Sequence, residues 1–253
     1  MKNNIIISVY ITNSNYGKYL EKSIQSVLKQ TYKFIEIIII DDASTDNSKK
    51  ILKKYKTNTK ITIIYNKKKK GLIRSSNIAI RATNGDFFLR LDADDYLHQN
   101  AIKEMYQNIK KSSDIALVFC DFYNFKDGLK NFSRYSYKNK KNCNINDNPA
   151  HGACSLINKR IFKKVGGYNN KWDRQDGYYI WFAFLLKKYR IIYCKKPLFF
   201  YRKHNNNLSS NFTKIIKTRL KILNFFSKTS LSYKKLLLSH KKKTISELNK
   251  LIK

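Results

Sequence analysis

Along the first hundred residues the apolar positions switch between unbroken runs and helical spacing, so that strand-like and helix-like segments alternate. Ile5–Ile11 reads as a buried strand, and Leu20, Ser23, Ile24, Val27, Leu28 and Thr31 then recur at the spacing of one helix face. Glu36–Ile40 is a second strand, stopping at Asp41-Asp42. Ser44-Thr45-Asp46 can cap a helix carrying Ile51, Leu52 and Tyr55, and Ile61–Tyr65 is a third strand. A helix over Leu72–Ala82 and a strand over Asp86–Leu91 follow. The order βαβαβαβ predicts an α/β fold with a mainly parallel sheet and helices on both faces, and such sheets bind ligands outside the carboxyl ends of their strands.

Carboxylates gather at those ends. Leu91-Asp92-Ala93-Asp94-Asp95 closes the last of these strands, and Asp41-Asp42 closes the second. Two carboxylates one residue apart can turn toward a hard divalent ion, and Mg²⁺ or Mn²⁺ typically binds through few protein carboxylates plus substrate phosphates, so Asp92 and Asp94 are candidate metal ligands. Taken alone, the same run also reads as a polar loop with a capped helix after it. Acidic pairs at one edge of one sheet favour a nucleotide diphosphate site. Asp41 and Asp42 are candidates for the base and ribose, with Thr12 and Asn15 on the adjacent loop and Arg74 in the same region. Only Gly17 lies near the first helix, so dinucleotide and P-loop readings have no support, and a metal must neutralise the phosphates.

The run Ile7-Ser8-Val9-Tyr10-Ile11-Thr12-Asn13-Ser14-Asn15, then Tyr19-Leu20, Ser26-Val27-Leu28, Gln30-Thr31-Tyr32 and Asp41-Asp42-Ala43-Ser44-Thr45-Asp46, resembles the start of family 2 glycosyltransferases. Gly71, Asn77, Ala79, Gly85-Asp86 and Leu91–Asp95 continue the resemblance. Gly166-Gly167-Tyr168, Gln175-Asp176 and Pro197-Leu198 with Tyr201-Arg202-Lys203-His204 extend it, over about residues 5–210. It implies a GT-A fold, a nucleotide-sugar donor, expected to be a UDP-sugar, a divalent metal and inversion at the anomeric carbon. It also places the catalytic base at Asp176, ahead of the apolar helix Tyr178–Leu186; an isolated Asp there would read as a helix cap. His204, in a polar stretch after Arg202 and Lys203, is a candidate for the metal or the diphosphate. Thr12, Ser14 and Gln175 depart from the residues common in the family, and Gln175 leaves Asp176 without a neighbouring charge. Among the aromatics, Trp172 is the best candidate for a sugar contact.

On this reading residues 1–97 form the nucleotide-sugar half, 98–210 the acceptor and base half of the same domain, and 211–253 a tail. With 253 residues, 42% of them hydrophobic, a large core is available and general disorder is excluded. The net charge of +35 suits anionic partners, although lysine is abundant throughout the chain. Residues 214–253 hold twelve Lys+Arg and one acid, interleaved with apolar residues, which predicts a helical, basic, amphipathic tail for an anionic membrane surface or, failing that, an extension packed on the enzyme or on a protein partner. No apolar run is long enough to span a bilayer, Met1-Lys2-Asn3-Asn4 leads straight into a strand, and the four cysteines lack zinc or redox spacing. The expectation is a cytoplasmic enzyme, peripheral at the inner face of the membrane, acting on a glycan or lipid-linked acceptor. A sugar nucleotidyltransferase would carry an early Gly-rich phosphate loop, which Thr12–Tyr19 lacks. A nucleic-acid binder would expose basic and aromatic residues on one sheet face, whereas these strands read as apolar on both, so no specific nucleic acid is expected.

Overall fold

The computed structural model describes residues 5–127, 132–205 and 207–252. Strands β1 (Ile7–Asn13), β2 (Ile35–Asp41), β3 (Ile61–Tyr65) and β4 (Phe87–Asp92) lie parallel in the spatial order β3-β2-β1-β4. Helices α1 (Gly17–Leu28), α2 (Ser48–Lys53) and α3 (Leu72–Ala82) connect them. Alternate residues of each strand enter different cores: Val9, Ile11, Ile37 and Ile39 pack with Leu20, Ile24 and Leu52 of α1 and α2, while Tyr10, Ile38 and Ile40 pack with Ile73 and Ile80 of α3. A strand covered on both faces has no polar side, which is why these runs are unbroken. β1 lies two residues later than the apolar run predicts, because Thr12 and Asn13 are drawn into pairing with Ile40, Asp41 and Asp92.

Beyond β4 the sheet becomes mixed. β8 (Ser155–Asn158) runs antiparallel to β4, β6 (Ile115–Phe125) antiparallel to β8, and β9 (Arg190–Arg202) parallel to β6; β5 (Tyr96–Leu97) and β7 (Ser133–Tyr135) pair antiparallel with β9 and β6. Pro197 falls inside β9 at an irregularity opposite Asp121, where a missing N–H is tolerated. α4 (Ala101–Ile109) packs on the same face as α1, and α5 (Lys159–Lys164) follows β8.

α6 (Asp176–Leu186) is apolar all round, with Tyr178 through Phe184 buried, and such a helix needs cover on every side. The tail supplies it. α7 (Phe212–Thr229) buries Ile215, Ile216, Ile222, Leu223 and Phe226, and α8 (Lys234–Ile252) adds Leu237; the stripe from Ile222 onward joins the core that holds α6. Most of the apolar face of α7 is therefore spent inside the protein, while Phe212, Leu238 and Ile245 of the tail stay exposed. Among the described residues no helix is long and apolar enough to cross a membrane.

Candidate active site

Register sets the site. Thr12 lies opposite both Ile40 and Asp92, and Asn13 lies opposite Asp41, so the residues proposed from sequence reach one edge of the parallel half-sheet. Two loops are locked together there. Asn13 Nδ2 donates to Asp41 Oδ1 at 2.8 Å and to Ser44 Oγ at 3.1 Å, and Asn15, left-handed at φ 62°, donates its N–H to Ser44 Oγ and accepts from Thr45 N through Oδ1 at 2.8 Å. Gly17 N and Ser48 N both donate to the Asp46 carboxylate, and a Cβ on Gly17 would lie 1.9 Å from Asn47 Oδ1, so only glycine fits.

Asp41 and Asp42 are buried and engaged. Asp41 also accepts from Ser44 N, while Asp42 accepts from Asn66 Nδ2, Lys70 N and Gly71 N, each at 2.8 Å. Both therefore shape the rim, and Asp42 sets the loop leading into α3. Arg74, in the first turn of α3, is exposed and makes no ion pair among the described residues.

Asp92 ends β4, and Asp94 and Asp95 fall in the turn after it. His204 Nε2 lies 2.9 Å from Asp94 Oδ2, and Asn207 Nδ2 donates to the same oxygen at 3.3 Å. His204 stacks on Tyr19 of α1. Arg202 Nε donates to the Asp94 carbonyl at 2.7 Å and its backbone N–H to Asp95 Oδ1 at 2.8 Å, while its guanidinium pairs with Asp127 and faces the Tyr19 ring. Asp95 Oδ2 is buried and has no hydrogen-bond partner among the described residues. Burial and the charge of Asp92 raise the Asp94 pKa; burial, then Asp94 and Asp92, raise that of Asp95 well above the usual range. Acid crowded in this way is what a divalent cation relieves, and Asp92, Asp94 and His204 carry oxygen and imidazole donors of the kind such ions take. Among the described residues no three such side chains already form a metal cage.

Arg90, which the apolar run of β4 conceals, was not singled out from sequence. Its Nη1 pairs with Asp176 Oδ2 and its Nε lies 3.1 Å from Asp92 Oδ1, with Arg90 and Asp176 both buried. Burial alone would lower its pKa, but Asp176 and Asp92 raise it further still. A lone arginine inside a buried strand requires a carboxylate partner, and that was the available signal. Gly152 makes room beside Asp176: a Cβ there would lie 3.1 and 3.2 Å from its two carboxylate oxygens and 3.0 Å from Arg90 Nη2. Trp172 instead meets Phe225 of α7 edge-on, so its ring is engaged with the tail.

A parallel half-sheet continued by a mixed half, with a row of carboxylates at the junction, is the GT-A arrangement of glycosyltransferases. Residues 8–166 match the model of glycosyl transferase family 2, and the chain belongs to that family of glycosyltransferases. It is 27% identical over 221 residues to the glycosyltransferase GlyG of Streptococcus pneumoniae, covering 80% of this chain and 72% of that one. Several other curated relatives are longer, and the chain spans less than two thirds of them. The fold is shared with the mannosyltransferase PcManGT of Pyrobaculum calidifontis, solved with GDP-Man and Mn²⁺, at a TM-score of 0.74 and 12% identity over 95% of this chain and 70% of that one. It is shared also with residues 1–349 of S. aureus TarS, solved with UDP-GlcNAc, at 0.69 and 17% over 87% and 66%.

Proposed function

We propose that the protein transfers a sugar, with inversion, from a nucleotide diphosphate donor of the UDP-sugar type to a glycan or lipid-linked acceptor in cell-surface polysaccharide synthesis. The observation that carries this reading is Arg90, which spans from Asp92 in the carboxylate row to Asp176 at the start of α6 and so sets two acidic positions on either side of one guanidinium. The donor would lie along the rim made by Thr12, Asn15, Asp41 and Asp42, with Arg74 free to meet its phosphates. Asp92, Asp94 and His204 would hold a divalent ion, Mn²⁺ or Mg²⁺, which when bound offsets the charge of the diphosphate and makes it a better leaving group. TarS solved with UDP-GlcNAc, and PcManGT solved with GDP-Man and Mn²⁺, support both the donor class and the metal.

Asp176 would act as the base. Arg90 holds Oδ2 and leaves Oδ1 for the acceptor hydroxyl. As the hydroxyl oxygen bonds the anomeric carbon, its proton passes to Asp176 and the bond to the phosphate oxygen breaks on the opposite face. The exposed lysines of α7 and α8 support a peripheral position at the inner face of the membrane. The test is a screen of the purified protein against UDP-GlcNAc, other UDP-sugars and GDP-Man, with and without Mn²⁺. Metal-dependent release of free nucleotide from a UDP-sugar is expected; no release from any donor would overturn the reading.

A further inference from the structure

The inward stripe of α7 runs Ile215, Ile216, Ile222, Leu223 and Phe226, and Arg219 stands in the middle of it at helical spacing. A guanidinium on a packed face needs a partner, and Arg219 finds two. Its Nε donates to Gln175 Oε1 at 2.8 Å, and its guanidinium carbon lies 5.1 Å from the centre of the Tyr178 ring. Gln175 and Tyr178 bracket Asp176-Gly177. Gln175 is left-handed, φ 63° and ψ 32°, a conformation that a residue with a Cβ keeps only where its surroundings hold it. From that conformation the chain turns into α6, and Tyr179 N closes onto the Gln175 carbonyl at 2.9 Å. The bond from Arg219 therefore acts on the turn that aims Asp176. α7 lies beyond the 8–166 segment that matches the family model.

We propose that the α7–α8 hairpin is part of the catalytic apparatus, with Arg219 as a positioning residue that holds Gln175 left-handed and so orients Asp176 toward the acceptor. This rests on the reading of Asp176 as the base. Arg90 holds the carboxylate from the sheet, where Gly152 leaves room for it, and Arg219 holds its approach from the tail.

The experiment compares full-length Arg219→Met, which keeps the aliphatic stem, with Arg219→Lys and Asp176→Asn, using the UDP- and GDP-sugar panel with water as acceptor. Arg219→Met should lower kcat about tenfold, the worth of one hydrogen bond from a charged donor, with donor KM within about twofold of the original. Arg219→Lys should recover most of that rate. Hydrogen exchange at the amides of Gln175–Tyr179 should quicken in Arg219→Met while β1–β4 stay protected. Unchanged kcat and unchanged exchange at those amides would sink the proposal. So would exchange that rises throughout the sheet, or a kcat loss matched by an equal loss of donor affinity, since either marks general loosening. If Asp176→Asn itself keeps full kcat, the base assignment fails instead; inactive Asp176→Asn beside fully active Arg219→Met removes only the role of Arg219.

Discussion

Asp94 shares one carboxylate oxygen with His204 and Asn207 and sits in a turn outside the strands, so its loss should spare the fold and remove the site. Asp94→Ala is expected to lower nucleotide release by more than about 100-fold and to abolish the Mn²⁺ dependence of donor binding, with an unchanged melting curve. Calorimetric titration of donor with and without Mn²⁺ checks it. Asp176→Asn should stop transfer while leaving donor affinity nearly intact, because a base touches the acceptor and not the diphosphate. Arg90 is different, since its removal strands a buried carboxylate. Arg90→Leu should destabilise the protein by about 3–5 kcal/mol in urea unfolding, and the double variant with Asp176→Asn should cost less than the two single changes added. Of these residues Asp94 and Asp176 were legible from motif position. Arg90 was not, because its partner is 86 positions away and only folding brings them together.

At the scale of elements, Glu36 shows how the parallel half is stitched. At the start of β2 its carboxylate accepts from Ser8 Oγ on β1 at 2.6 Å, and from Asn84 N, Asn84 Nδ2 and Gly85 N in the turn before β4. Burial pushes its pKa up, but the bonds from Ser8, Asn84 and Gly85 outweigh it and hold it below the usual 4.5. A depressed carboxylate contributes its stability above the unfolded-state pKa and loses it as pH falls through the lower folded-state value. Loss of those bonds in Glu36→Gln should cost about 1–3 kcal/mol at pH 7, and the gap to the original protein should narrow as the pH falls below 4.5 and through the lowered folded-state value. A series of chemical denaturations from pH 7 downward checks it; a gap that stays constant over the whole acid range in which the protein folds would reject the carboxylate as its source. Helical and strand periods were readable because each of these elements buries a regular stripe. The mixed half of the sheet was not, since β8 and β7 are short and their pairing depends on neighbours distant in the chain.

For the whole molecule, the tail joins two roles that its sequence leaves apart. Deleting everything after Ser210 would bare Tyr179, Phe182 and the rest of α6, so loss of soluble, folded protein is expected rather than a trimmed active enzyme. Attachment to anionic membranes is better tested by charge reversal at exposed Lys217, Lys221, Lys242 and Lys243. That variant should keep nucleotide release and lose salt-sensitive sedimentation with phosphatidylserine vesicles; equal sedimentation would exclude these lysines as the anchor. The amino-acid sequence by itself determined the α/β order, the strand-end carboxylates and the family, because buried stripes and short motifs are local properties of a chain. It also carried a hint of the tail's place, in a helix α6 apolar on every side. Tertiary structure alone decided that the tail's apolar face covers α6, that Arg90 spans from Asp92 to Asp176, and that Arg219 reaches Gln175. An amphipathic pattern says that a face must be covered but not by what, and a charge says that it needs a partner but not which; only the packed chain chooses among them.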